Sequence, residues 1–191
     1  MQLDAITVTV RVTGVLEKLG VPYFIGGSLA STLYGMVRTT QDSDIIANLR
    51  LEHLPSFIQT LEGDFYIDDE MIANAVTRRS SFNIIHRESM FKVAVFIPRE
   101  GNFVQMQFAR ARMETLSSSP ETAAMVASPE DILLAKLQWY RLGGEVSERQ
   151  WRDVVGVLKV QTGVLDMGYL HQWATELKVA DLLQSALKEN V

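Results

Sequence analysis

Two apolar periods compete at the start of the chain. Ile6, Val8, Val10 and Val12 alternate with Thr7, Thr9 and Arg11 as a strand would, while Val8, Val12, Val15, Leu16 and Leu19 recur as one face of a helix. Asp4 as a cap, the length of the segment and the stop at Gly20 favour the helix. Pro22 to Ile25 then reads as a short buried strand, Gly26-Gly27-Ser28 as a turn, and Leu29 to about Met36 as a short helix. Asp42-Ser43-Asp44-Ile45-Ile46 alternates again and predicts a second strand.

Further along, Leu54, Phe57, Ile58 and Leu61 mark one face of a helix closed by Gly63. Phe65 to Ile67 is a short apolar run. Asp68-Asp69-Glu70 opens another helix, running to about Val76, with acids suited to its N-terminal dipole. Ser81 to His86 and Met90 to Ile97 are two β-rich runs around Arg87-Glu88-Ser89, which predicts an antiparallel hairpin. Phe103, Val104 and Phe108 fit a short helix or an irregular segment. Met113 to Leu116 and Ala123 to Ala127 predict a small β pair around the Ser117-Ser118-Ser119-Pro120 turn, the best domain boundary in the chain. From Ser128-Pro129-Glu130-Asp131, a strong helix start, the pattern is helical to the end. Helices are expected over 128–142, 147–160, 166–177 and 180–187.

The 191 residues, 47% of them apolar, suffice for one ordinary domain or for a small α/β domain with a helical cap. No run of eighteen apolar residues and no secretion-signal layout is present, so no membrane association and a cytoplasmic location are expected. Cysteine is absent, which excludes disulfides, thiol nucleophiles and thiolate metal sites. His53, His86 and His171 are too scattered for a zinc centre. A net charge of −5 argues against a nucleic-acid-binding domain, although local basic patches exist at Arg78-Arg79 with Arg87 and at Arg99 with Arg110 and Arg112.

The candidate chemistry lies in the opening α/β stretch. Gly26 and Gly27 permit positive φ and close approach of a ligand, and Ser28 stands where a helix N-cap belongs. A turn of this kind at a helix N-terminus presents N–H groups to phosphate. Asp42 and Asp44, two apart on a strand, point to one face. Paired carboxylates repel unless a cation lies between them, and hard dications such as Mg²⁺ share oxygen ligands with substrate phosphates. A phosphate cradle followed by a carboxylate pair points to metal-assisted phosphoryl or nucleotidyl transfer.

At Gly26, Gly27, Ser28, Asp42 and Asp44 the sequence resembles the nucleotidyltransferase superfamily of DNA polymerase beta type. Arg38 and Thr40 complete an Arg-x-Thr-x-Asp-x-Asp arrangement like that of small bacterial members, and the pattern is similar to that of abortive-infection toxin nucleotidyltransferases. The resemblance implies an α/β (α+β) nucleotidyltransferase fold, a small mixed twisted sheet flanked by helices over 1–116, followed by a helical C-terminal region over 117–191. It implies transfer of a nucleoside monophosphate from an NTP to a hydroxyl acceptor (protein, tRNA or small molecule), with Mg²⁺ or Mn²⁺ as cofactor. Asp42 and Asp44 would be the catalytic metal ligands. Gly26, Gly27, Ser28, Arg38 and Lys136 would bind the nucleotide, with Lys92 and Asp153 as accessory groups.

Members usually carry a third carboxylate on the second hairpin strand, in a Lys-apolar-Asp-apolar context. Here Lys92 matches and Ala94 stands in the acid's place, with Glu88 and Asp68 the nearest candidate substitutes. The departure supports an alternative: a catalytically degenerate nucleotidyltransferase-like protein, acting as a nucleotide-binding sensor or as the partner of another protein in a toxin-antitoxin type pair. Lys136 and the Arg152-Asp153 pair resemble groups of the toxin-type members, and equally fit an interhelical ion pair.

Overall fold

The computed structural model describes residues 2–36, 40–118 and 121–189. They divide into two compact units, one of residues 1–29 with 39–126 and one of residues 30–38 with 127–191. Among the described residues, no helix is long and apolar enough to cross a membrane.

The first unit is a mixed α/β structure. The ambiguous opening is helix α1 (Gln2–Lys18), and Val8, Val12, Val15 and Leu16 are all buried, so the helical stripe prevails over the alternation. Strand β1 (Tyr23–Gly26) leads into helix α2 (Gly27–Tyr34), whose residues from Ala30 on are counted in the second unit, and β2 (Asp42–Ala47) follows. A 3-10 turn at Leu51–His53 precedes α3 (Leu54–Leu61), then β3 (Phe65–Tyr66) and α4 (Asp69–Arg78). The hairpin β4 (Ser81–His86) and β5 (Lys92–Phe96) comes next, and α5 (Asn102–Arg110) separates it from a second hairpin, β6 (Arg112–Ser118) and β7 (Glu121–Val126).

The strands of the described residues join one seven-stranded sheet in the order β3-β4-β5-β2-β1-β7-β6. β2 runs parallel to β5 and β1 parallel to β7, and the other neighbours are antiparallel. Residue 116, the expected end of the first domain, lies inside β6, and Ser117 and Ser118 pair with Thr122 and Glu121 instead of turning. The rest of the expected turn, residues 119–120, lies outside the described residues.

One face of the central strands is core. Ser43 and Ile45 on β2, Val93 and Val95 on β5, and Phe82 and Ile84 on β4 are buried there, and Phe57 of α3 meets Phe82 edge-on with ring centroids 6.2 Å apart. Period-two alternation therefore forces Asp42, Asp44, Lys92, Ala94 and Asn83 onto the opposite face. At the other end of β1, burial, then the hydrogen bond to Glu17, pushes the Tyr23 hydroxyl up to about 12. It stays protonated and accepts the backbone N–H of Met125 on β7.

The second unit is helical. Helix α6 (Pro129–Leu142) is followed by α7 (Glu148–Val160), α8 (Met167–Glu176) and α9 (Ala180–Glu189). Ser128 caps α6 as its sequence predicts. The buried Asp131 carboxylate in the first turn of α6 accepts hydrogen bonds from the Ser128 hydroxyl (2.8 Å) and the Tyr169 hydroxyl (2.7 Å), tying α6 to α8. Leu133, Leu137, Val157, Leu170 and Leu183 bring one residue or more from each helix into the core.

Candidate active site at the Gly-Gly turn

Register explains how the turn and the carboxylates meet. β1 and β2 are antiparallel with Gly26 opposite Asp44, so the end of β1 delivers the glycine turn to the start of β2. Gly27 takes φ +58, in the left-handed region, and begins α2 one residue earlier than the cap expected at Ser28. Ser28 accordingly lies within the first turn of the helix. A Cβ built on Gly27 would fall 1.8 Å from Asp44 Oδ2 and 2.7 Å from its Cγ. The Asp44 carboxyl therefore occupies the space that any other residue at position 27 would fill.

Asp42 is held from two sides. The buried Thr40 donates its hydroxyl hydrogen bond to the Asp42 carbonyl at 2.8 Å, and the same hydroxyl lies 3.3 Å from Asp42 Oδ1. From β5, Lys92 Nζ approaches Asp42 Oδ2 to 3.4 Å. Both partners are partly exposed, so this contact orients the carboxylate more than it stabilises the fold.

The parallel register of β2 and β5 sets Asp42 beside Lys92 and Asp44 beside Ala94. Ala94 thus occupies the sheet position from which a third carboxylate would meet the other two. On the next strand Asn83 pairs with Ala94. Asn83 is exposed and places an amide on the acid face. Its type carries no catalytic signal in the sequence, although the flanking Phe82 and Ile84 imply that it faces away from the core.

Of the two candidate substitutes for the third acid, Asp68 has another task. Asp68 caps α4, its Oδ1 accepting the Met71 N–H at 2.8 Å. Glu88 is exposed in the β4–β5 turn. His86 Nδ1 lies 2.9 Å from the Ser89 hydroxyl and 3.3 Å from the Ser89 N–H, closing that same turn. Among the described residues no group of three His, Cys, Asp or Glu could hold a metal ion. Asp42 and Asp44 alone fit one hard dication that completes its shell with water and substrate oxygens. They do not supply the bridging set that a pair of ions requires.

The remaining predicted residues fall elsewhere. Arg38 lies outside the described residues. Lys136 on α6 and Asp153 on α7 belong to the helical unit and meet each other, Nζ to Oδ2, at 2.7 Å, with their side chains only 9% and 10% exposed. Arg152 instead pairs with Glu148 one turn back, on the surface.

No protein-family model matches the chain, and no curated protein matches it. Its likeness to solved structures covers nearly its whole length. The antibiotic-resistance factor ANT(2'')-Ia is 14% identical with a TM-score of 0.54, over 99% of this chain and 97% of that one. An antigenic nucleotidyltransferase-like protein from Paracoccidioides brasiliensis is 19% identical with a TM-score of 0.56, over 97% and 93% of the two chains. This chain has the nucleotidyltransferase fold.

Proposed function

We propose that the chain is a nucleotidyltransferase that moves a nucleoside monophosphate from an NTP to a hydroxyl acceptor, using one Mg²⁺ or Mn²⁺ held by Asp42 and Asp44. The observation that carries this reading is the Asp44 carboxylate seated on Gly27, which joins the glycine turn to an acid pair in one place. When bound, the ion offsets triphosphate charge and polarises the phosphoryl group under attack. Gly27 and Ser28 present backbone and hydroxyl donors to the triphosphate at the opening of α2. Thr40 fixes the orientation of Asp42, and Lys92 adds a positive charge on the same face. In the transfer, the acceptor oxygen bonds to the α-phosphorus while the bond to the pyrophosphate oxygen breaks, and the acceptor proton is released. Arg38 and Lys136 remain proposed partners of the pyrophosphate.

Calorimetric titration of each NTP with Mg²⁺ or Mn²⁺ tests the site. The Asp42→Asn, Asp44→Asn double variant is expected to lose metal-dependent affinity by roughly 30-fold or more, the equivalent of about 2 kcal/mol. Unchanged affinity in that variant would remove both residues from the site.

Ala94 favours a second reading, a nucleotide-binding protein without transfer activity, serving as a sensor or as the partner of another protein. Asn83 and Ala94 are uncharged, so neither can take a proton from an acceptor hydroxyl. On this reading Ala94→Asp is expected to create transfer activity where the wild type has none, seen as pyrophosphate release. Robust wild-type turnover sinks it.

A further inference from the structure

The end of the sheet away from the acid pair carries a cluster of arginines. β2 and β5 run parallel, so the segments that follow them emerge together, opposite the end that carries Asp42 and Lys92. β4 is antiparallel to β5, with Ser81 opposite Phe96, so Arg79 arrives at that end as well. A cavity of about 480 Å³ opens there, lined by Asn48, Arg50, Arg79 and Arg99, with Val104 and Phe108 of α5 forming an apolar wall. Asn48 is four residues beyond Asp44, on the order of 13 Å along the strand, so the cavity is distinct from the acid pair.

Its charge is unbalanced. Arg50, Arg79 and Arg99 face one carboxylate, that of Glu100. Glu100 takes part of Arg79, whose guanidinium donates to Glu100 Oε1 and to the Pro98 carbonyl, each at 3.0 Å. The Glu100 side chain is 86% exposed, so solvent screens the contact and it yields readily. Among the described residues, Arg50 pairs with the exposed Glu52 alone, at 3.7 Å. Arg99 makes no ion pair or hydrogen bond among the described residues. Arg79 also closes α4 at φ +47, a left-handed conformation that disfavours any side-chain-bearing residue. A glycine would suit that backbone better, and the arginine holds its guanidinium at the cavity rim.

We propose that this cavity binds a small phosphate-bearing molecule, its phosphate held by Arg79 and Arg99 with Arg50 at the margin. Arginine forks match phosphate oxygens in pairs. The volume lies in the range of small-ligand sites, and the wall of Val104 and Phe108 suits an organic body attached to the phosphate. The net charge of −5 argues against a nucleic acid as the occupant. The assignment is independent of any catalysis at the acid pair.

The test is calorimetric titration of inorganic pyrophosphate and of AMP into the full chain without divalent cations, which silences attraction to Asp42 and Asp44. Wild type is expected to bind one equivalent of at least one probe, with the same affinity in the Asp42→Asn, Asp44→Asn variant. An Arg79→Gly, Arg99→Ala variant should bind at least about tenfold more weakly, the loss of one charge-assisted hydrogen bond. Arg79→Gly eases the backbone and Arg99 has no hydrogen-bond or ion-pair partner among the described residues, so a retained melting temperature separates lost binding from misfolding. Equal affinity for both probes assigns recognition to phosphate alone, whereas tighter binding of AMP brings in Val104 and Phe108. The proposal fails if neither probe saturates the wild type or if binding survives in the arginine variant. It also fails if Arg149→Ala, a charge control in the helical unit, weakens binding as much, or if only tRNA or DNA binds.

Discussion

Replacing Gly27 with alanine is expected to abolish metal-dependent NTP binding and to lower stability by about 2–3 kcal/mol while leaving the sheet intact. Two strains add. The left-handed φ of +58 disfavours a residue with a Cβ by roughly 1–2 kcal/mol. The new methyl would also lie 1.8 Å from Asp44 Oδ2 and 2.9 Å from Asp44 Cβ, so the carboxylate must leave its position, at about 1 kcal/mol for a side chain forced off its rotamer. Gly26→Ala supplies the contrast. Its Cβ would meet Ile46 Cδ1 at 2.9 Å, the far end of a flexible side chain that can turn away. Denaturant unfolding and calorimetry on both variants separate the effects: Gly27→Ala should lose nucleotide binding and Gly26→Ala should largely keep it. Wild-type affinity in Gly27→Ala would show that the turn takes no part in binding nucleotide.

The contact between Gly27 and Asp44 was only half legible in the sequence. The strand, glycine turn, helix and second strand each leave a local signature, and a spacing of two is enough to set Asp42 and Asp44 on one face. Their meeting with the turn depends on the antiparallel register of Gly26 with Asp44, a pairing across eighteen positions that no local period encodes. The same division runs through the rest of the fold. Ser128 and Asp68 cap helices whose starts their side chains predict, because a cap is a bond between neighbours, and Asp166 caps α8 in the same way. β7, by contrast, belongs beside β1 in parallel, and nothing near Glu121–Val126 announces it. The serines at 117 and 118 have turn composition yet sit in a ladder, where tertiary pairing overrides their preference.

Asn83 and the arginine cavity were missed for related reasons. Alternation around Phe82 and Ile84 gives the direction of Asn83, but only the register with Ala94 identifies its neighbour. Arg50, Arg79 and Arg99 come from three separate segments, each of which reads as ordinary solvated surface. They converge because β2 and β5 finish, and β4 begins, at the same end of the sheet. Arg99 was grouped in the sequence with Arg110 and Arg112, its neighbours along the chain, whereas the structure sets it with Arg50 and Arg79.

Lys136 and Asp153 offer the largest expected loss of stability. Their 2.7 Å contact is about nine-tenths withdrawn from solvent on both sides, so removing one charge takes a close counter-charge from the other in a buried setting. Lys136→Met is expected to destabilise the protein by about 3–5 kcal/mol, read from the denaturant midpoint and slope. Asp153→Leu should cost a similar amount. The double variant should recover much of the loss, because two apolar side chains can fill the space without an uncompensated charge. Nucleotide affinity measured on the same three proteins then distinguishes a purely structural pair from a lysine that also serves the triphosphate. If the pair is structural, the double variant binds NTP as the wild type does. If Lys136 meets the triphosphate, the double variant folds and still binds weakly, since stability can be repaired by packing and a phosphate contact cannot. Additive effects of the two single changes, with no recovery in the double variant, would mean that the ion pair is not what holds α6 to α7 at this point.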